Sequence, residues 1–472
     1  MDESCTECAA PVSGRRLARR RWLLAGLAAL LVVALPLWVR LAAAPPPLVL
    51  LVVFDALRAD HLSQYGYALP TSPGLAKLAA RATLFRNVYA PASYTTASTA
   101  SLLTGLSPLR HGARKQGARL AGDVVTLAEL MRARGYRARG VSFNPVVADV
   151  TGFTQGFEEF AEREKGSPFN LYPDIGDGLR VIRRWVDDAR EPLFVYFQPM
   201  NTHGPYIVPP AARVTLLGRA PDPTFRYYDP LMAAILAGDV ARRREVTPQY
   251  VRSGIERYDT AIRYATDALG AFLDELDAAG RLDDALVVVT ADHGDEFFEH
   301  GGFSHGYTLH EEVVRVPLLV KLPGQRAARE VDARVSLQDV YPTIAEAVGA
   351  ELRQPVDGRS LVPWTLGQGD PHPRDLFLSA EFSPRLVARG VLSGTQKLVA
   401  TEERYDGARG AVELYDLASD PGETRDLAAA QPERARELVK QLEQGASVPA
   451  APAEDAVEGL DAERLRALGY AR

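Results

Sequence analysis

Cysteine is almost missing from this chain. Among 472 residues only Cys5 and Cys8 occur, both within the first eight positions. The body therefore has no disulfide framework and no thiol nucleophile. Cys5-Thr6-Glu7-Cys8 is half of a zinc site, and no second pair completes it. Basic charge is not in excess either: 54 Lys and Arg stand against 60 Asp and Glu, a formal net charge of −6. Counterion release needs a basic footprint, so no nucleic-acid partner is expected. No internal repeat is visible, which argues against a solenoid. What is present in quantity is apolar sequence, 47% against 24% charged, enough to bury a large core and to exclude a disordered chain.

One stretch lacks charge altogether. Trp22 to Val39 is uncharged over 18 residues, follows Arg15, Arg16, Arg19, Arg20 and Arg21, and has tryptophan near both ends. A spanning helix needs about 20 such residues. The pattern predicts a transmembrane helix or uncleaved signal anchor over 22–40, with residues 1–21 as a cytoplasmic tail. The body then lies on the extracytoplasmic side, periplasmic or extracellular. Ala42-Ala43-Ala44 keeps a cleaved export signal open as the alternative.

The body alternates between strand and helix patterns. Leu48–Phe54, Leu193–Phe197, Leu286–Thr290 and Val316–Val320 are continuous apolar runs suited to buried strands. Helical patterns separate them: one opened by Thr71-Ser72-Pro73, one at Val125–Arg134, and a long one from Pro248 to Gly280. This predicts an α/β fold, a doubly wound and mostly parallel sheet flanked by helices, over 48–365. Past residue 365 short strand-like pieces (Arg385–Val391, Lys397–Ala400, Glu413–Leu417) and two polar helices (Pro432–Gln444, Asp461–Leu468) predict a smaller C-terminal α+β subdomain and helical tail, 366–472. Residues 207–246 break the alternation and carry Phe225-Arg226-Tyr227-Tyr228. They read either as a cover over a substrate or as a loop.

Ligands in open α/β sheets sit at the carboxyl ends of strands. Asp55 ends the first apolar run and Asp292-His293 ends another. Two carboxylates and an imidazole can converge on one divalent cation, Zn or Mn if nitrogen ligates, Ca or Mg if only oxygen does. Tyr94-Thr95-Thr96-Ala97-Ser98-Thr99 places hydroxyls at the start of a helix that ends at Gly105. A helix N-terminus stabilises an anion, and a bound cation turns a hydroxyl into a nucleophile.

These residues belong to a longer series: Phe54-Asp55-Ala56-Leu57-Arg58-Ala59-Asp60, Ser101-Leu102-Leu103-Thr104-Gly105 through Arg110-His111-Gly112, Asn201-Thr202-His203-Gly204-Pro205-Tyr206, and Thr290-Ala291-Asp292-His293-Gly294. Arg315-Val316-Pro317, Asp339-Val340-Tyr341-Pro342-Thr343, Asp357-Gly358-Arg359-Ser360-Leu361 and Leu414-Tyr415-Asp416-Leu417 follow. In this order, from about Leu48 to Leu427, the series resembles the sulfatase family of the alkaline-phosphatase superfamily. The resemblance implies a metal-dependent hydrolase or transferase acting on esters. The family carries Cys or Ser followed by x-Pro-x-Arg and converts the first residue to formylglycine. Here that position is Thr95, with Ala97 and Thr99 at the proline and arginine positions. Threonine has no route to formylglycine. A threonine nucleophile is similar to that of the phosphoryl-transferring relatives: the nucleotide pyrophosphatase/phosphodiesterases, phosphoethanolamine transferases and phosphoglycerol transferases. That likeness implies Asp55, Thr95, Asp292 and His293 around one ion, with His203 and His305 binding the transferred phosphate or a second metal. Asn144 and Thr96 join them as substrate-binding residues. The expected substrate is a phosphate or sulfate ester, linked to lipid or glycan if the N-terminal segment holds the body at a membrane. A sulfatase working without formylglycine and a catalytically silent envelope binding protein are the alternatives. His111, His300 and His310 are expected to play supporting roles, and His61 and His372 to lie on the surface. Arg58 is expected either to position substrate or to pair with Asp60.

Overall fold

The computed structural model describes residues 47–162, 174–368, 374–383, 386–403 and 409–445, with Ala451 and Val457. The described residues belong to one compact unit. Ten strands come first along the chain. They are β1 (Leu48–Phe54), β2 (Thr83–Tyr89), β3 (Arg137–Ser142), β4 (Glu159–Ala161), β5 (Leu193–Gln198), β6 (Leu286–Ala291), β7 (Glu296–Phe297), β8 (Phe303–Ser304), β9 (Arg315–Lys321) and β10 (Arg329–Ser336). All but the hairpin β7–β8 form one eight-stranded sheet in the order β10-β2-β9-β6-β1-β5-β3-β4. Every residue of β1 is buried, which is why its sequence is apolar without alternation.

One expectation is refined here and one corrected. The sheet is mixed, with β9 alone running antiparallel to its neighbours, β2 and β6, while the other pairings are parallel. The connection from β6 to β9 carries no crossover helix long enough to return the chain to the starting edge, so the strand comes back antiparallel. The correction concerns the membrane. No helix among the described residues is long and apolar enough to cross a bilayer. The 31-residue helix Pro248–Ala278 has the length, but it is laced with Arg, Asp and Glu. The segment 22–40, on which a transmembrane helix was expected, lies outside the described residues, as does Asp461–Leu468.

Local chemistry sets the helix ends. Thr247 accepts the Tyr250 N–H and Pro248 occupies the first turn of the long helix, where a missing donor costs nothing. The helices Thr95–Thr104, Leu127–Ala133 and Val340–Ala347 pack on one another, and Ile175–Asp188 packs on Pro248–Ala278. A second sheet is an antiparallel meander of β11 (Leu376–Ser383), β12 (Leu386–Ser393), β13 (Gln396–Glu403) and β14 (Arg409–Asp416). The helix Pro432–Gly445 covers it, setting Ala435, Leu438 and Leu442 against Val391, Leu398 and Leu414.

Candidate active site

Four adjacent parallel strands, β6, β1, β5 and β3, end on the same edge of the sheet. Their carboxyl ends deliver Asp292-His293, Asp55, Gln198 and Asn144 to one place, and all five side chains are buried. Asp292 N donates to Phe54 O at 3.2 Å and Ala56 N donates to Asp292 Oδ1 at 3.1 Å, so the β1 and β6 ends are stitched together. The helix Thr95–Thr104 adds Thr95 at its first residue. Tyr94, which precedes it, supplies no side-chain cap, so the helix N-terminus keeps its positive end for the site. Ser98 Oγ donates to Asp292 O at 2.6 Å and fixes this helix to the β6 end.

The geometry is tight. Thr95 Oγ1 lies 3.2 Å from His293 Nε2 and accepts from Asn144 Nδ2 at 3.3 Å. His293 Nε2 stands 3.8 Å from Asp55 Oδ1 and 3.6 Å from Asp292 Oδ2. Asn144 Nδ2 also donates to Asp55 Oδ2 at 2.6 Å. Gln198 Nε2 bridges the two carboxylates, 3.2 Å from Asp55 Oδ2 and 3.3 Å from Asp292 Oδ2.

This cluster fits a divalent cation. Asp55, Asp292 and His293 offer ligand atoms within 4.8 Å of one another. Asp55 Oδ1 is buried with no hydrogen-bond partner, a costly arrangement for a carboxylate unless a cation faces it. His293 Nδ1 lies 2.9 Å from Gly294 O, so that nitrogen carries the proton and Nε2 turns its lone pair toward the carboxylates. Burial first, then the charge of Asp292, pushes Asp55 well above the usual carboxylate range, and burial pushes Asp292 up to about 7. Burial also depresses His293. Two carboxylates that resist ionising and an imidazole held neutral make a site that a bound cation would stabilise.

His203 and His305 stand beside this cluster. The His305 ring is 4.2 Å from that of His293 and 4.9 Å from that of His203. His305 Nδ1 is held 3.0 Å from Asp295 Oδ1, and Tyr206 OH donates to the other oxygen of Asp295. His203 Nδ1 lies 2.7 Å from Gly204 O. Burial, then the neighbouring His305, lowers His203 to about 3, and burial lowers His305 well below the usual range. Thr96 turns elsewhere: its hydroxyl donates to Gln116 Oε1 and accepts from Gly117 N, both at 2.9 Å, so it braces the 116–117 loop.

Sequence reasoning missed Gln198 and Asp295. Gln198 ends an apolar strand, where the strand-end rule points, and Asp295 lies two residues beyond His293. The 207–246 segment reaches the site through Tyr227. The Tyr227 ring meets that of His203 at 6.2 Å, and Tyr227 OH lies 2.8 Å from Ser304 Oγ. A Cβ at Gly204 would fall 2.2 Å from the Tyr227 ring, so this close approach requires glycine.

The other described histidines make contacts of their own. His111 is buried, with Nε2 3.0 Å from Ser101 Oγ and Nδ1 accepting from Ala113 N. His300, His310 and Glu312 form a second group with close ligand atoms. The two rings are stacked, 3.7 Å apart and 11° from parallel, so their in-plane lone pairs do not converge on one ion. His300 Nδ1 instead pairs with Glu312 Oε1 at 2.7 Å. His61, expected on the surface, is buried, because Asp259 of the long helix holds its Nδ1 at 2.6 Å. Arg58 pairs with both Asp60 and Glu299. His372 lies outside the described residues.

Comparison with known proteins fits this geometry. Residues 47–350 match the family described as Sulfatase, and residues 298–447 match N-sulphoglucosamine sulphohydrolase, C-terminal. The chain is 30% identical to arylsulfatase A of Bos taurus, over 88% of this chain and 90% of that protein. Among solved structures it is similar to the phosphonate monoester hydrolase of Silicibacter pomeroyi: TM-score 0.68, 22% identity, 84% of this chain and 94% of that one. It is also similar to a protein solved with its substrate D-glucosamine-2-N,6-O-disulfate: TM-score 0.71, 17% identity, 85% and 97% of the two chains. At these identities the structural likeness establishes the fold.

Proposed function

The chain belongs to the sulfatase family, and from that premise we propose that it is a metal-dependent phosphate-ester hydrolase with Thr95 as its nucleophile. The observation that carries the proposal is the placement of Thr95 Oγ1. It sits at a buried helix N-terminus, 3.2 Å from His293 Nε2, at the cluster of Asp55 and Asp292. Threonine at this position has no route to formylglycine, so its own hydroxyl must do the chemistry.

Asp55, Asp292 and His293 would hold the ion, and their mixed oxygen and nitrogen donors favour Zn or Mn over Ca or Mg. Such an ion, when bound, lowers the pKa of a hydroxyl and offsets charge on the ester oxygens. The protein's own groups do the rest. The N–H groups that open the helix Thr95–Thr104 face the equatorial oxygens. Asn144 orients both Asp55 and the Thr95 hydroxyl. Thr95 Oγ1 forms a bond to phosphorus as the ester P–O bond breaks. His203 and His305, neutral in the free protein, gain basicity beside an arriving anion, take up the proton that the Thr95 hydroxyl releases as its oxygen bonds to phosphorus, and pass it to the leaving oxygen. Water then attacks phosphorus, the Thr95 Oγ1–P bond breaks, and phosphate leaves with the hydroxyl restored. An acceptor alcohol in place of water would give transfer.

Sulfate esters are the second reading, favoured by the likeness to arylsulfatase A. Assays with 4-nitrophenyl phosphate, bis(4-nitrophenyl) phosphate and 4-nitrophenyl sulfate in parallel separate the two. For the first reading, mass spectrometry of acid-quenched protein should find a phosphoryl adduct on Thr95, and Thr95→Ala should lose at least about a thousandfold in kcat. Thr95→Ala turning over phosphate esters at the wild-type rate would end the proposal.

A further inference from the structure

His203 and His305 reach the site from separate stretches of chain. His203 lies beyond β5, and His305 directly follows β8. Their rings stand 4.9 Å apart. One link between the two stretches runs from Tyr206 through Asp295 to His305 Nδ1. A second link comes from the 207–246 segment and passes through Tyr227.

That segment is anchored before it reaches the site. Phe225 is buried, its N donates to Ser253 Oγ at 3.0 Å, and its ring lies 5.1 Å from that of Tyr250 in the helix Pro248–Ala278. Asp222 N donates to Glu256 Oε2 at 3.0 Å, and Arg219 grips both oxygens of Glu256. Held in this way, the segment meets β8 at both of its residues. The Phe225 ring is 6.3 Å from that of Phe303, and Tyr227 OH lies 2.8 Å from Oγ of Ser304, the residue next to His305. The Tyr227 ring also stands 6.2 Å from that of His203 and 5.6 Å from that of Tyr206, packed on Gly204.

The backbone is unusual at the same place. Tyr206, Tyr228 and Ser304 have φ of 60°, 60° and 69°, the left-handed region that residues with a Cβ seldom adopt. Such conformations persist where the surroundings over-determine them, and they gather at functional sites. All three meet Tyr227: Tyr206 by its ring, Ser304 by its hydroxyl, and Tyr228 as the next residue.

A proton donor must lie within hydrogen-bond reach of the atom it serves, and a misplacement of about 1 Å can cost about a hundredfold in rate. Packing against Gly204 and Tyr206 asks only for a ring, which phenylalanine would supply. The hydroxyl is directed to the residue beside His305. We propose that Tyr227 is a positioning residue for ester cleavage, holding His203 and His305 in register with each other so that the pair delivers a proton to the leaving oxygen. The inference rests on the esterase reading, and it makes the 207–246 segment a working part of the site.

The test compares two esters on the full chain loaded with Zn or Mn: phenyl phosphate, whose leaving oxygen needs a proton, and 4-nitrophenyl phosphate, whose leaving group departs readily without one. Tyr227→Phe keeps the ring and deletes the hydroxyl. It should lower kcat about tenfold on phenyl phosphate and about twofold or less on 4-nitrophenyl phosphate, with KM held within about twofold. Ser304→Ala removes the same bond from the other end and should give the same pattern, and the double variant should lose no more than either single change. Metal affinity should stay at the wild-type value in all three variants. The proposal is overturned if Tyr227→Phe cleaves phenyl phosphate at the wild-type rate, if both esters lose rate equally, or if the two changes multiply in the double variant. Should sulfate be the group cleaved, phenyl sulfate and 4-nitrophenyl sulfate serve in the same way. A wild-type protein that binds the metal and cleaves none of the four esters would strike the esterase reading itself, a result distinct from wild-type turnover that Tyr227→Phe leaves unchanged.

Discussion

Metal affinity measured against pH gives the strongest check on the proposed cation site, because the structure assigns the pH dependence to unusual groups. A site with a histidine ligand ordinarily loses metal as the imidazole protonates near 6.5. Here burial holds His293 below that value, so proton competition at this ligand begins at lower pH than for an ordinary histidine. The carboxylates compete instead. Asp292 is lifted from 3.8 to about 7, so below pH 7 a proton must be displaced for the ion to bind. Between pH 7 and pH 5 that proton alone weakens the apparent affinity about fiftyfold, or about 2.3 kcal/mol. Asp55 is lifted as well, and it steepens the dependence in the same direction. Competition titration of Zn or Mn into chelator-stripped protein between pH 5 and 8 measures this. Asp292→Asn should bind more weakly at pH 8 and lose about one proton of pH dependence. Affinity that is flat from pH 5 to 7, or a midpoint near 6.5 that persists in Asp292→Asn, would refute the reasoning. Thermal stability of the stripped protein is a poorer readout, because two trends oppose. Raised Asp292 contributes stability below 3.8 that is lost as pH climbs through 7. Depressed His203 contributes stability above 6.5 that is lost as pH falls toward 3.

Other outcomes follow from the same contacts. Gln198→Leu removes the amide that bridges Asp55 and Asp292, and it should weaken metal binding about 10–100-fold in the same titration, with the fold intact by circular dichroism. Asp295→Ala frees His305 Nδ1 and should lower kcat/KM about 10–100-fold, whereas Tyr206→Phe, which leaves the carboxylate in place, should cost less. Lys397→Met strips the buried cation that lies 3.2 Å from Glu311 and 2.9 Å from Glu423. Denaturant unfolding should show a loss of about 3–5 kcal/mol at pH 8. The loss should shrink toward pH 5, because burial raises Glu423 and protonation then relieves the stranded charge.

The cluster of Asp55, Asp292 and His293 was legible in the sequence because it lies directly after apolar runs, and a run of that kind marks a strand whose end faces the site. Asp55 after Leu48–Phe54 and Asp292-His293 after Leu286–Ala291 need only two parallel strands side by side to meet. Thr95 was legible through its distance from Gly105, the left-handed residue that stops the helix. Other features were not encoded locally. An apolar run such as Arg315–Lys321 has no direction, so nothing in it tells parallel from antiparallel pairing. Gln198 looks like the polar stop of a strand until Asp55 and Asp292 are seen to flank it. Asp295 gains a role only when the β7–β8 hairpin folds His305 back onto it. His61 was read as exposed because its partner, Asp259, is 198 positions away.

What the missed residues share is that they serve other side chains, and this bears on why the site is arranged as it is. Gln198 and Asp295, like Asn144, which the sequence did point to, each spend a hydrogen bond on a carboxylate or imidazole that burial has made unfavourable to charge. Stability alone does not account for that. Replacing two adjacent buried carboxylates by apolar residues of similar size would relieve desolvation and repulsion together. The amides donate to Asp55 Oδ2 and Asp292 Oδ2, while Asp55 Oδ1 is left facing His293 with no donor at all. One oxygen is thus oriented by the scaffold so that the other is presented, in the order a ligand set requires: a fixed rear, and a front left open to a cation.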